Sequence, residues 1–281
     1  MAAVPLVFVF GTGRCGTQTL WKLFESLPNT LSMHEGKGIV RAGPAAMIGE
    51  QLRIGWIGNW NTYLYHAANE DVFRRSFDPD PDLAVLIEST FQARSTLIEW
   101  CEAHGLAYCD SNPYAYNLIT YLYRKYPHAK FIHLVRDGYD CVRSWFRRSS
   151  TYPDHLTDLR EMYWLLAKPV PLASDPAHAA WPAYDRVQRI SWFWNTVNAN
   201  IIERFAGIPA ENRLLLRIED LTKETTPRLL AFCGLPQSYA PETLAPGDPS
   251  SGPSIEWTSD QVRKFNELAA PMMRELAYAL R

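Results

Sequence analysis

The stretch FVFGTGRCGTQTL, Phe8 to Leu20, limits the fold more tightly than any other part of the chain. An unbroken apolar run, Leu6 to Phe10, stops at Gly11; Gly16 follows five positions on, and then Leu20, Trp21, Leu23 and Phe24 recur at helical spacing. A strand that ends in a glycine turn and enters a helix is the frame of a phosphate cradle. Glycine permits positive φ and close backbone approach, and the amides that open the helix can point at an anion. Thr17 and Thr19 add hydroxyl groups, and the cation of the loop is Arg14. A Walker loop would place lysine directly after Gly16, where this chain has Thr17. That lysine holds the β- and γ-phosphates, so its absence disfavours an ATP or GTP hydrolase.

The strand-to-helix rhythm continues along the chain. Short apolar runs at Leu6–Phe10, Thr30–Met33, Ala84–Glu88, Leu106–Cys109, Lys130–Val135 and Arg213–Arg217 read as strands buried on both faces. Helical patterns at Gly16–Ser26, Thr96–His104, Ala115–Tyr126, Tyr139–Ser149, Ile190–Phe205 and Thr226–Cys233 separate them. Such alternation predicts an α/β fold, a central parallel sheet flanked by helices in a doubly wound, P-loop-like arrangement. The length, 281 residues, fits one domain spanning 1–281. Two segments break the rhythm and read as substrate-shaping insertions. Residues 36–82 carry Trp56, Trp60, Tyr63 and the Arg74–Arg75 pair; residues 150–185 are rich in proline and carry Tyr152, Trp164, Trp181 and Tyr184. Loops on a rigid sheet carry specificity, so these rings fit either an aromatic cleft or ordinary core packing.

Composition removes several function classes. A net charge of −2 argues against a general nucleic-acid binder. The five cysteines are scattered, with no CxxC pair and no Cys/His cluster at metal spacing, which predicts reduced thiols and no metal site. The N-terminal apolar run is too short to span a bilayer and no basic segment precedes it, so a cytoplasmic protein without a membrane span is expected.

A second constellation is FIHLVRDGYDCVRSWFRR, Phe131 to Arg148. A strand ends at Val135, Arg136 stands at its carboxyl edge, and a helix bearing Ser144 and Arg148 follows. Ligands of open α/β sheets bind at that edge. Arg136, Ser144 and Arg148 can converge there on a second phosphate, with arginine supplying forked hydrogen bonds. Arg143 and Arg147 read as solvated helix charges.

Together the two blocks resemble the sulfotransferases that use 3′-phosphoadenylyl sulfate (PAPS), whose donor carries a 5′-phosphosulfate and a separate 3′-phosphate but no γ-phosphate. Within that family the sequence is most similar to the tyrosylprotein sulfotransferases. The loop FGTGRCGTQTL resembles their GxPRSGTT, LPNTLSMHEGK their HPxxxCGEETR, and SNPY (Ser111 to Tyr114) their KDPF. VRDGYDCVRS matches closely, RIEDL with LLAFCGLP resembles their RYExL region, and SDQVRK (Ser259 to Lys264) resembles SDQVIK.

The resemblance implies a sulfotransferase fold, PAPS as co-substrate, adenosine 3′,5′-bisphosphate as product, and no metal. It implies that Arg14, Cys15, Gly16, Thr17, Gln18 and Thr19 hold the 5′-phosphosulfate. Arg136, Ser144 and Arg148 would hold the 3′-phosphate side, while Ser251 and Lys264 would close over the donor. Glu35 falls where the family keeps its catalytic base, and His34 is its rival, since strand alternation sends only one of the two into the cleft. Arg14 and Lys264 would stabilise charge developing in the transition state. Three departures stand out: Ser111 replaces a family lysine, a loss that falls to Arg14 and Lys264 or to Lys37 reaching in; Ile218 replaces the tyrosine of RYExL; and the family's membrane anchor has no counterpart. The acceptor is then a hydroxyl on a small molecule or a peptide, whether phenolic, tyrosyl or carbohydrate. A small-metabolite kinase and a non-catalytic nucleotide-binding relative are the alternative readings.

Overall fold

The computed structural model describes residues 4–34, 37–38, 94–113, 115–148, 151–156, 169–171, 173–239 and 256–281. The chain forms β1 (Leu6–Phe10), α1 (Thr17–Glu25), β2 (Thr30–His34), β3 (Lys37–Gly38), a helix α2 over 94–104, and β4 (Ala107–Ser111). After a 3₁₀ turn at Ala115–Leu118 come α3 (Ile119–Lys125), β5 (Lys130–Val135) and α4 (Gly138–Phe146). The remainder includes a one-turn helix at Ala177–Ala180, α5 (Arg186–Phe205), β6 (Arg213–Arg217), α6 (Thr226–Phe232) and α7 (Ser259–Glu275).

Among the described residues the strands make one sheet in the order β3-β2-β4-β1-β5-β6, parallel except for the two-residue β3. The sequence LVFVF explains why β1 is central: with no polar side chain it can be covered on both faces, and all five residues are buried. Its alternation divides the core. Val7 and Val9 pack with Leu20, Leu23 and Phe24 of α1 and with Leu229 and Leu230 of α6. Phe8 and Phe10 face the opposite layer, where α2, α3, α4, α5 and α7 pack. Each such side chain contributes roughly 1.5–3 kcal/mol through burial, so the sheet is a stiff platform for the loops at its carboxyl edge.

The expected α/β architecture is what the chain adopts, with local differences. β2 runs on to His34, and β4 begins and ends later than its apolar run, at Ser111. The strand expected at Ala84–Glu88 lies outside the described residues. α5 starts four residues before Ile190, because Asp185 and Gln188 form a capping box. α7 was not anticipated: Pro271 sits inside it, yet Thr258 and Gln261 make a second capping box that starts it. The aromatic cleft reading fails for two rings. Tyr152 and Trp181 are fully buried core residues; Tyr152 Oη donates to the Pro169 carbonyl at 2.5 Å, and Trp181 packs edge-on against Tyr152 and Trp192. Flat, rigid rings fill the space between α5 and the insertion, and Arg189 stacks over Trp181 while donating to the Pro153 and Leu156 carbonyls. Trp56, Trp60, Tyr63 and Trp164 lie outside the described residues. No helix among the described residues is long and apolar enough to cross a membrane.

Candidate anion site at the carboxyl edge of the sheet

The register fixes which loops meet. β1 lies between β4 and β5, with Val9 opposite Ser111 and Phe10 opposite His133. The loop after β1 and the start of α4 after β5 therefore emerge side by side at the carboxyl edge, where open α/β sheets bind ligands.

The glycine loop is tightly shaped. Gly13 and Gly16 have φ of 70° and 103°, and Arg14, unusually for a residue with a side chain, has φ 57°. A left-handed non-glycine residue costs about 1–2 kcal/mol and persists only where its surroundings hold it. Here α4 does the holding. Trp145 Nε1 donates to the Thr12 carbonyl at 3.3 Å, and Cys141 Sγ to the Gly13 carbonyl at 3.4 Å. Arg14 Nε donates to Ser144 Oγ at 3.0 Å. Positions 141, 144 and 145 share one helix face, so a single face of α4 grips three consecutive loop residues. Arg136 Nη1 reaches back to the Arg14 carbonyl at 3.2 Å. The two blocks read separately from the sequence thus meet through Arg14, Arg136 and Ser144.

Beyond the loop, Gly16 caps α1 in a left-handed conformation and no side chain caps the helix. Of the residues assigned to the donor, Thr17 is buried, Gln18 is exposed and Thr19 is half-buried. Cys15 turns its side chain into the core, where burial pushes the thiol up to about 11; what it presents to the loop is its backbone. Thr17 Oγ1 and His34 Nε2 are hydrogen-bond partners at 3.2 Å, and the His34 ring packs against Trp21. Ser111, level with His34 on the neighbouring strand, is fully buried, and its hydroxyl has no hydrogen-bond partner among the described residues. Lys37 pairs with His34 in the β2–β3 ladder.

Other assigned residues have partners of their own or lie outside the described residues. Lys264 forms ion pairs with Asp185 Oδ2 at 2.8 Å and Asp260 Oδ2 at 2.7 Å, and these carboxylates raise its pKa to about 12. Arg148 is exposed, and its carbonyl accepts from Arg186 Nη2 at 2.7 Å. Arg143, read as a solvated charge, pairs with Asp140 at 2.8 Å. Glu35 and Ser251 lie outside the described residues. The sequence reading missed Cys141 and Trp145; their spacing around Ser144 on a helix that follows an edge arginine was the available signal. Among the described residues no group of three or more His, Cys, Asp or Glu side chains is placed to hold a metal.

Chemically the arrangement offers two guanidinium groups and two hydroxyls around a backbone crowded enough to exclude side chains. A Cβ on Gly13 would sit 2.7 Å from Trp145 Cζ2, and one on Gly16 2.6 Å from Ile218 Cδ1. That donor set fits a bulky oxyanion.

The chain is similar to several known proteins. Protein-tyrosine sulfotransferase 1 of Danio rerio is 29% identical over 153 residues, covering 53% of this chain and 37% of that protein. The Homo sapiens protein of the same name is 27% identical over 151 residues, covering 53% and 35%. The match therefore spans about a third of the length of these relatives. A solved structure, the sulfotransferase domain from the curacin biosynthetic pathway, superposes with a TM-score of 0.48 at 16% identity, covering 100% of this chain and 99% of that one. The family model described as the sulfotransferase family matches residues 5–239, most of the chain, and the protein belongs to that family.

Proposed function

We propose that this protein is an enzyme that transfers the sulfuryl group of PAPS to a hydroxyl acceptor by in-line displacement. The acceptor oxygen forms a bond to sulfur as the bond from sulfur to the 5′-phosphate oxygen breaks, adenosine 3′,5′-bisphosphate departs, and the hydroxyl proton passes to a protein base. The donor supplies the activated sulfate; the chain supplies placement and charge, which are what such a transfer demands. Arg14 and the amides at the start of α1 face the 5′ side, Arg136 and Ser144 the 3′ side, and Glu35 or His34 takes the proton. The observation that carries this reading is the hydrogen bond from Arg14 Nε to Ser144 Oγ, which joins two anion-binding blocks 130 residues apart. His34 gains weight as a base from its place at the end of β2 and its bond to Thr17, the first residue of α1.

Thermal unfolding tests the donor. A ligand present at a hundredfold its Kd stabilises the folded state by about 2.7 kcal/mol, so adenosine 3′,5′-bisphosphate should raise the Tm where ATP with magnesium does not. The reverse pattern would favour a metabolite kinase. Transfer of label from ³⁵S-PAPS to a panel of phenols, sugars and acidic tyrosine peptides then identifies the acceptor. Nucleotide binding with transfer to none of them would make the protein a non-catalytic relative.

A further inference from the structure

The turn after β6 touches both anion-binding blocks. Ile218 packs against Gly16, close enough that a Cβ there would lie 2.6 Å from Ile218 Cδ1. The next residue, Glu219, reaches the other block: its Oε1 accepts from the Asp137 amide at 2.9 Å, immediately after Arg136. Its second oxygen, Oε2, accepts from Tyr278 Oη at 2.8 Å. Tyr278 belongs to the segment after α7, is 6% exposed, and lies under the Arg217 guanidinium, which also donates to the Ala277 carbonyl at 3.1 Å. One carboxylate therefore joins the segment 276–281 to the residue that follows Arg136, while its chain neighbour packs on the glycine loop.

We propose that Glu219 is a positioning residue for the donor site, and that the segment carrying Tyr278 is the brace through which it acts. The inference rests on the sulfotransferase reading and deepens it: Glu219 touches no reacting atom and sets the separation of the Gly16 and Arg136 blocks. A rigid spacing matters because a donor with a phosphate at each end is gripped at both, and a shift of one block weakens both grips together. Electrostatics alone would act in the opposite sense. An exposed carboxylate near a polyanion repels it, so removing the charge without any positioning effect would tighten binding.

The test compares Glu219→Ala, Glu219→Gln and Tyr278→Phe in the full chain, using titration with adenosine 3′,5′-bisphosphate and initial rates at varied PAPS. Glu219→Ala should weaken nucleotide binding and raise the PAPS KM by about five- to tenfold, the loss of two charge-assisted hydrogen bonds, with kcat and the acceptor KM little changed. Glu219→Gln keeps an acceptor for the Asp137 amide and a group able to donate to the Tyr278 oxygen, and should restore most of the affinity. Tyr278→Phe, which leaves the Asp137 bond in place, should give a smaller loss in the same direction. A merely structural role would lower Tm and the active fraction without moving the donor KM, and that result overturns the inference, as does tighter binding in Glu219→Ala. Should Glu219→Ala fail to fold, Tyr278→Phe with unchanged donor affinity overturns it as well. If the parent chain binds no adenosine 3′,5′-bisphosphate, the sulfotransferase reading falls and the inference with it; if the parent binds and all three variants match it, only the inference falls.

Discussion

Gly13→Ala tests whether α4 truly shapes the loop. The backbone at Gly13 is left-handed, φ 70°, which an alanine adopts at a cost of about 1–2 kcal/mol. Its Cβ would also meet Trp145 Cζ2 at 2.7 Å, and a rigid indole held by its bond to the Thr12 carbonyl cannot swing aside like the end of a flexible chain. Overpacking of that kind adds about 1–3 kcal/mol. The sum is about 2–5 kcal/mol, or a fall in Tm of about 4–10 °C at roughly 2 °C per kcal/mol for a chain of this size. Gly105→Ala is an internal control: φ is 68° there, and nothing lies within 4 Å of the added carbon, so only the conformational cost remains. Differential scanning calorimetry of both variants isolates the clash with Trp145. Whichever way the clash relaxes, Trp145 or the loop must move, and Ser144 and Arg14 are their immediate neighbours in the chain. Titration with adenosine 3′,5′-bisphosphate should therefore show a loss of affinity in Gly13→Ala and none in Gly105→Ala. Equal losses of stability in the two variants, or unchanged nucleotide affinity in Gly13→Ala, would refute the claim that α4 sets the loop.

The other expectations concern the core and the chemistry. His133 is buried against Asn198, and burial pulls its pKa down to about 4 from 6.5. The unfolded chain therefore binds its proton first as pH falls, so this group's contribution, about 3 kcal/mol, is complete above pH 6.5 and is lost as pH drops towards 4; urea titrations across that range should show the slope, and His133→Gln should flatten it. Arg94 and Asp110 form a buried ion pair at 3.1 Å, so Arg94→Met should cost about 3–5 kcal/mol near neutral pH by stranding the carboxylate. Burial already raises the Asp110 pKa, and the same urea titrations should show the Arg94→Met penalty shrinking in acid as that carboxylate takes up a proton. Arg14→Ala and Glu35→Ala should each lower turnover by about two orders of magnitude or more, with donor affinity falling in the first and surviving in the second. Near-normal turnover in Glu35→Ala, measured with labelled donor, would assign the base to His34.

Much of this fold can be read in the sequence because buried parallel strands are nearly pure apolar runs. β1 and β5 run between the residues expected of them, and so does β6, although it is a half-exposed edge strand with Leu215 48% exposed. Where polar residues are buried, the pattern misleads. β4 continues through Asp110 and Ser111 because Arg94 meets the carboxylate and the sheet covers the hydroxyl, neither of which is visible in a window of neighbours. α7 was hidden for another reason: Pro271 reads as a break, yet the helix spans Ser259–Glu275 with that proline near its end. The Thr258–Gln261 capping box was the better guide to where it starts. Tyr152 and Trp181 turned out to be core because a ring says nothing by itself about which side of it is wet.

The site divides along the same line. Residue type and strand position were enough to nominate Arg14, Arg136 and Ser144, because an arginine or a hydroxyl at a carboxyl edge has few other places to go. Lys264 was nominated by the family resemblance alone, and there the partners bear on the role. Arg14 Nε donates to a hydroxyl and Arg136 Nη1 to a carbonyl. Lys264 instead lies between two carboxylates, one of which, Asp185, also caps α5 through its other oxygen. Asp260 is itself shared with Arg263 at 2.6 Å, so the Lys264 ammonium is one member of a network of mixed charge. Lys264 can add to anion affinity at the edge only by leaving Asp185 and Asp260 for the donor.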